Sequence, residues 1–237
     1  MDRDVSRVAG QVFAAEIGTA SEAGIRLERW ALAGGRDFPW RHWSSAYSIV
    51  VAELLLQRTR AEVVALFIPS FLERFPGWPQ LASADLSAIE DCLRPLGLFR
   101  RRPSTLKSLA VDVLSRDASW VERPGIGQYM SRAVAVTLHA ERHAMVDSNF
   151  VRILTRVFGG PWKADYRYDT RLQALALAVV DAAEDARRAN WAVLDLGATV
   201  CRPRLPRCGD CPLADLCGYA TTNRLSAPES ESTPTSG

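Results

Sequence analysis

The chain has 237 residues, 48% hydrophobic and 24% charged, which is enough for one large domain or two small ones with a real core and too apolar for global disorder. The formal net charge is only +2, so overall basicity gives no pointer to nucleic acid, although the cations are nearly all arginine, the side chain that grips phosphates bidentately. The N-terminus lacks a basic stretch followed by a long apolar run, and no segment reaches the ~18–20 apolar residues of a membrane span, so a secretory or membrane protein is not expected and a cytoplasmic one is.

Helical periodicity dominates and strand alternation is scarce, so the expected fold class is all-α. The run "AYSIVVAELLLQRTRAEVVALFIPSFLERF" (46–75) is strongly apolar with helical spacing and is expected to break near Pro69. "SADLSAIEDCLRPLG" reads as a helix capped by Ser83 that stops around Pro95–Gly97, and residues 103–116 open with a proline suited to a first helical turn. A short segment precedes Pro124, a helix is expected over 127–139, and a turn over 140–147. Further helices are expected over 148–158, 169–188 and 190–200, then a cysteine-rich segment, and a disordered tail over 221–237.

Four of the five cysteines are spaced Cys201-x6-Cys208-x2-Cys211-x5-Cys217. A reducing compartment makes disulfides a poor explanation for such a cluster. Four thiolates in one short loop can surround a single metal centre, and the ligand type suits tetrahedral zinc and a cubane iron–sulfur cluster alike. Cys92, alone on a helix, reads as a small core residue. Between the first two cysteines lie Arg202, Arg204 and Arg207, which a pinned loop could present to a phosphate backbone or leave solvated.

Three further features carry chemistry. In "ERPGIGQYMSRA" (122–133), the amides of Gly125, Gly127 and Gln128 at a helix start could hold a phosphate, though a plain helix–helix turn accounts for the glycines as well. Asp147 precedes an apolar-periodic helix and is an N-cap on ordinary grounds. Glu53 stands among Val50, Val51, Leu54, Leu55 and Leu56, where it either faces water or is buried and made into a proton donor.

The cysteine spacing, paired with the upstream PGIG turn, resembles the helix-hairpin-helix DNA glycosylases of the endonuclease III superfamily, from about residue 26 to 219. Arg123 departs from the leucine usual before the turn, and the first hairpin helix looks short. The resemblance implies a two-lobed fold: residues 1–45 with 147–220 as the cluster lobe, 46–146 as a helical barrel with the hairpin, and 221–237 as a tail. It implies a [4Fe–4S] cofactor on Cys201, Cys208, Cys211 and Cys217, with a structural role. It also implies that Asp147, in "VDSN", is the catalytic acid and that Glu53 faces it across the cleft. Gln57 and Arg58 would contact the strand or fill the gap left by a flipped base, and "RDFPWRH" (36–42) is similar to the stretch at the head of these enzymes.

The family member implied is monofunctional. Bifunctional relatives of endonuclease III carry a lysine after the hairpin that attacks the sugar as a Schiff-base nucleophile, and Tyr129 occupies that position here. Glu53, Tyr129 and Asp147 together look most like the thymine–DNA mismatch glycosylases, with thymine or uracil opposite guanine as substrate. Adenine glycosylases are the alternative, but usually have a small residue at Tyr129 and a further C-terminal domain for which this chain is expected to lack room after Cys217. A non-enzymatic DNA-binding iron–sulfur module would need neither acid. The implied partners are double-stranded DNA with a mismatched or damaged base, bound at the nucleoid by a monomer, and a downstream abasic-site endonuclease.

Overall fold

The computed structural model describes the backbone of residues 2–225 and the side chains of 13–222. In chain order the described α-helices are α1 (Asp2–Gly34), α2 (Ala46–Leu56), α3 (Ala61–Arg74), α4 (Trp78–Ser83), α5 (Leu86–Leu93), α6 (Arg102–Ser115), α7 (Gln128–His139), α8 (Ser148–Phe158), α9 (Thr170–Asp181), α10 (Ala186–Thr199) and α11 (Gly218–Leu225). Among the described residues there is no β-strand, as the all-α expectation required. Two compact units form, one from the segments up to Gly35 and from Val146 onward, the other from Arg36–Met145.

The second unit is built around α2. This helix is apolar on every side, with Tyr47, Ile49, Val50, Val51, Ala52, Leu54 and Leu55 all buried, and such a helix can only sit centrally. Ser45 caps its start. α3, α6 and α7 pack against it, and Val64, Ile68, Phe71, Ile89, Leu93, Leu106, Leu109 and Val134 complete the core. Cys92 packs on that core as a partly buried residue.

Two boundaries differ from the sequence expectation. The break in the 46–75 run falls at residues 57–60, not at Pro69: Arg58 takes φ +69° and the Thr59 amide closes a turn on the Leu56 carbonyl. Pro69 stays inside α3 on its exposed face, where water can take the hydrogen bond that its missing N–H forgoes. Ser83 ends α4 rather than capping the next helix. Asp85 takes the cap position of α5, and the Lys107 amine donates to the Ala84 carbonyl (2.6 Å) to hold the turn between them. Gly97, at φ +69°, ends the α5 region where expected.

The first unit packs α1 along α9 and α10, with α8 against α9, α10 and α11. The region expected as helices 169–188 and 190–200 instead breaks at 182–185. Glu28 of α1 decides this. Its buried carboxylate accepts the amides of Glu184 (2.7 Å) and Asp185 (2.9 Å) and a donor from Arg188 (2.8 Å), so the exposed donors of a new helix start are satisfied there. α11 continues through Leu225, five residues into the expected tail, and residues 226–237 of that tail lie outside the described residues.

α1 and α9 approach closely because Gly24 has no side chain: a Cβ there would lie 2.0 Å from the Val179 carbonyl oxygen. The backbone cannot yield as a flexible side chain would. Gly24→Ala is therefore expected to destabilise by about 1–3 kcal/mol, which lowers the melting temperature by about 2–4 °C per kcal/mol in a thermal scan. An unchanged melting temperature would show that α1 is free to shift on α9.

Candidate active site and cysteine loop

In the second unit, the sequence-identified residues Glu53, Gln57 and Arg58 lie on α2 or just after its end, and α7 packs against that helix. Glu53 is the one charged residue of α2 and is half-buried. Gln57 follows the helix and donates to the Met130 sulfur of α7 (3.1 Å), which ties the end of α2 to the hairpin helix. Arg58 is exposed in a left-handed turn. Burial of Arg102 at the start of α6 lowers that residue's proton affinity, and the nearby Arg58 charge acts in the same direction.

The hairpin itself is compact. Its first helix is a single 3-10 turn, Trp120–Glu122, closed by a reciprocal Ser119–Glu122 capping box. Arg123 replaces the usual leucine with an ion pair. Its side chain is only 8% exposed, donates to Asp112 (2.9 Å) and to the Ala118 carbonyl (2.9 Å), and lies over the Trp120 ring. Gly125 needs to be glycine on two counts: φ is +77°, and a Cβ would meet the Thr105 methyl at 2.3 Å. Gly127 is the N-cap of α7, with open space where a Cβ would point, and no side chain caps the helix. The first amides of α7 have no intrahelical acceptor, which is the arrangement that suits an anion. Tyr129 follows in the first turn, half-buried and packed on the core of its unit.

In the first unit, Asp147 caps α8. One carboxylate oxygen accepts the amides of Asn149 and Phe150 (both 2.9 Å), and the other accepts the Asn149 side-chain amide (2.6 Å). Burial nevertheless raises its proton affinity above the ordinary carboxylate range, against the opposing pull of these bonds and of the Arg152 charge. Desolvation is the larger influence on the direction of this shift, ahead of the cap's hydrogen bonds.

Asn149 is positioned in turn. It rests on Gly197 of α10, where a Cβ would come within 2.6 Å of its side chain, and it accepts from Arg152 (2.8 Å). The same Arg152 guanidinium donates to the carbonyls of Gly197 (2.8 Å) and Cys201 (2.8 Å). Asn149, Arg152 and Gly197 were not singled out in the sequence. The signal that could have found the first two is their spacing on one face of α8, with Arg156 one turn further on.

The cysteine loop lies at the other end of that face. Cys201, Cys208, Cys211 and Cys217 line one cavity of ≈ 20 Å³ with Arg156 and Tyr219. Burial pushes the Cys211 thiol up to about 11, and the three other cysteines push in the same direction, while burial also raises Cys217. Thiols in that environment favour deprotonation only if a cationic centre joins them. Among the described residues no three histidine, cysteine, aspartate or glutamate side chains are gathered in a ready single-ion site. Of the loop arginines, Arg207 is held by Asp210 (2.8 Å), Arg202 is exposed with one long bond to the Leu205 carbonyl (3.4 Å), and Arg204 is exposed.

Residues 51–177 match the sequence profile of the HhH-GPD superfamily of base excision DNA repair proteins. The chain belongs to this superfamily. It is 33% identical over 192 residues to a thymine/uracil-DNA glycosylase of Methanothermobacter thermautotrophicus, covering 78% of this chain and 86% of that protein. It is 35% identical over 205 residues to an adenine DNA glycosylase of Mycobacterium tuberculosis, covering 81% of this chain and 66% of that one. The solved structure of a thermostable thymine-DNA glycosylase superposes with a TM-score of 0.75 at 29% identity, over 90% of this chain and 99% of the other. The profile match spans Glu53, the hairpin, Tyr129 and Asp147, so the superfamily portion of the chain holds both candidate acids and the glycine turn.

The burial of Asp147 has a measurable consequence in this superfamily member. The folded state holds the Asp147 proton more tightly than an unfolded chain does, whose carboxyl titrates near 3.8. The contribution of this site to stability therefore falls as pH rises from that value through the raised one. Asp147→Asn keeps a capping oxygen. It is expected to melt with wild type in acid and above wild type near neutrality, in calorimetric scans across that range. A variant that is less stable than wild type at neutral pH would show that the cap, not burial, dominates.

Proposed function

We propose that this superfamily member is a monofunctional DNA glycosylase that extrudes thymine or uracil mispaired with guanine and hydrolyses its N-glycosidic bond. The observation that carries the reading is its likeness to thymine/uracil-DNA glycosylase over 78% of this chain and 86% of that protein. Tyr129 behind the hairpin supports the monofunctional part, since a phenol cannot form the imine that strand cleavage needs.

The residues divide the work as follows. The amides of Gly125, Gly127 and Gln128 hold a backbone phosphate of double-stranded DNA at the start of α7. Gln57 and Arg58 contact the strand around the extruded nucleotide, and Arg202 and Arg204 add phosphate contacts from the cysteine loop. Asp147 takes a proton from water as the oxygen adds to the sugar carbon, and its raised proton affinity suits that task. The electrons of the broken N-glycosidic bond leave with the base, and Glu53 supplies the proton that neutralises it. The abasic product passes to an abasic-site endonuclease, and the enzyme acts as a monomer.

We also infer that Cys201, Cys208, Cys211 and Cys217 hold a [4Fe–4S] cluster. The support is the x6-x2-x5 spacing and the gathering of all four cysteines around one cavity, a donor set of thiolates that suits iron–sulfur ligation. When bound, the cluster supplies a rigid anchor for the arginine loop, and hydrolysis draws no electrons from it. Cys208→Ser is expected to lose iron and, with it, mismatch binding in a gel-shift titration. An iron-free variant that binds and cuts normally would remove the cluster from the mechanism.

A second reading, adenine removal opposite guanine or 8-oxoguanine, is favoured by the 35% identity to the mycobacterial adenine glycosylase. A panel of duplexes carrying T:G, U:G, A:G, A:8-oxoguanine and hypoxanthine separates the two. Release from T:G and U:G with strand breaks appearing only after alkali is the expected result, and release of adenine alone overturns it. On T:G, Asp147→Asn is expected to lose roughly 10²–10⁴-fold in rate with binding retained. Tyr129→Lys is expected to gain alkali-independent strand cleavage and a borohydride-trapped adduct. No change in any activity would return Tyr129 to a packing role.

A further inference from the structure

Arg156 is not used by the chemistry above, yet its side chain and backbone both touch the cysteine loop. One guanidinium nitrogen donates to the Cys201 sulfur (3.1 Å) and to the Arg202 carbonyl (2.8 Å), and the other donates to the Pro203 carbonyl (3.1 Å). Its backbone carbonyl accepts from the Cys217 thiol (3.2 Å), and its guanidinium lies over the Tyr219 ring, 4.9 Å from the centroid. Its charge has no carboxylate partner in these contacts. The nearest acceptors are a sulfur and two carbonyls, so the cation is committed to the loop and not to a surface ion pair. Arg26, by contrast, is spent on Asp215 and Glu22 in the same unit.

We propose that Arg156 is a positioning residue that couples cluster charge to the arginine loop: one nitrogen neutralises the thiolate of Cys201, and the fork fixes the carbonyls from which Arg202 and Arg204 project. This rests on the reading that the four cysteines hold an iron–sulfur cluster. A cation and an N–H donor at a ligating sulfur stabilise the more negative state of the centre, and so raise its reduction potential. A planar fork is needed to reach a sulfur and two carbonyls together, which a lysine cannot do.

The test uses the loaded full-length protein. Wild type is first shown to carry the cluster by iron content and visible absorbance; a wild type without either ends the cluster reading itself. In loaded Arg156→Gln, the midpoint potential at an electrode is expected to move negative by a tenfold change in the one-electron equilibrium, about 59 mV. Arg156→Lys is expected to show a smaller shift of the same sign. Both variants are expected to be cut faster by trypsin at Arg204, because the fork that pins the loop is gone in each. If Arg156→Gln fails to retain iron, the Lys variant decides on the same two readouts. Potentials unchanged in every loaded variant, or shifted with no change in loop cleavage, overturn the proposal.

Discussion

The first unit depends on the guanidinium of Arg152. It spans the Asn149 side chain and the carbonyls of Gly197 and Cys201, so one rigid fork joins the start of α8, the body of α10 and the first cysteine. Gly197 makes this geometry reachable, because any side chain there would displace Asn149. Asn149 then takes the second oxygen of Asp147, whose first oxygen is already committed to two amides. A carboxylate with both oxygens engaged cannot rotate, and its orientation follows from the cysteine loop through three hydrogen-bonded residues. Arg156, one turn along the same helix, holds the next two residues of that loop. Two arginines on one face of α8 thus account for where the loop begins and how it leaves α10.

In the second unit the corresponding constraint is the burial of α2. A helix with apolar residues on all sides must be enclosed, and enclosure fixes where its polar exceptions emerge. Glu53 is such an exception within the helix, and Gln57 and Arg58 are placed where it ends. The hairpin is anchored to the same core by Ile126 and Met130 and braced by the part-buried Arg123–Asp112 pair. Removing Asp112 would leave the 8%-exposed Arg123 side chain without its carboxylate, whereas Asp112 also pairs with Arg116 (2.6 Å). Arginine before the turn therefore serves the purpose of the absent leucine, by a contact that requires Asp112 of α6 rather than apolar neighbours alone.

Much of this was legible in the chain. The helical period placed α6, α7 and α8 within a residue or so, because each opens on a local signal: Pro103, Gly127 or Asp147. The hairpin and the cysteine loop were legible because glycine at positive φ and four thiols at short spacing have few other uses. What failed was decided at a distance. Pro69 looked like a break and was not, since its exposed position lets water replace the missing donor. The true break, at Arg58, takes a residue with no turn propensity into the left-handed region. The split at 182–185 comes from Glu28, some 150 residues earlier, whose carboxylate captures two amides. The roles of Arg152 and Arg156 are written as a spacing on α8, but their acceptors are carbonyls of a loop that periodicity does not reach.

In the role proposed for it, Asp147 would join two functions that pull in opposite directions. A cap is strongest when the carboxylate is ionised, because its amide donors and the helix dipole both favour negative charge. A base must still want a proton when it meets water. Hydrogen bonds alone would have produced the first and forfeited the second, since a carboxylate with three donors is held well below the ordinary range. Burial reverses the balance without removing a single donor: the geometry of the cap remains, while desolvation raises the affinity for the proton. The helix cap and the base proposed for Asp147 are therefore compatible with one and the same arrangement. The amides fix where the carboxylate points, and exclusion of water sets how strongly it attracts a proton.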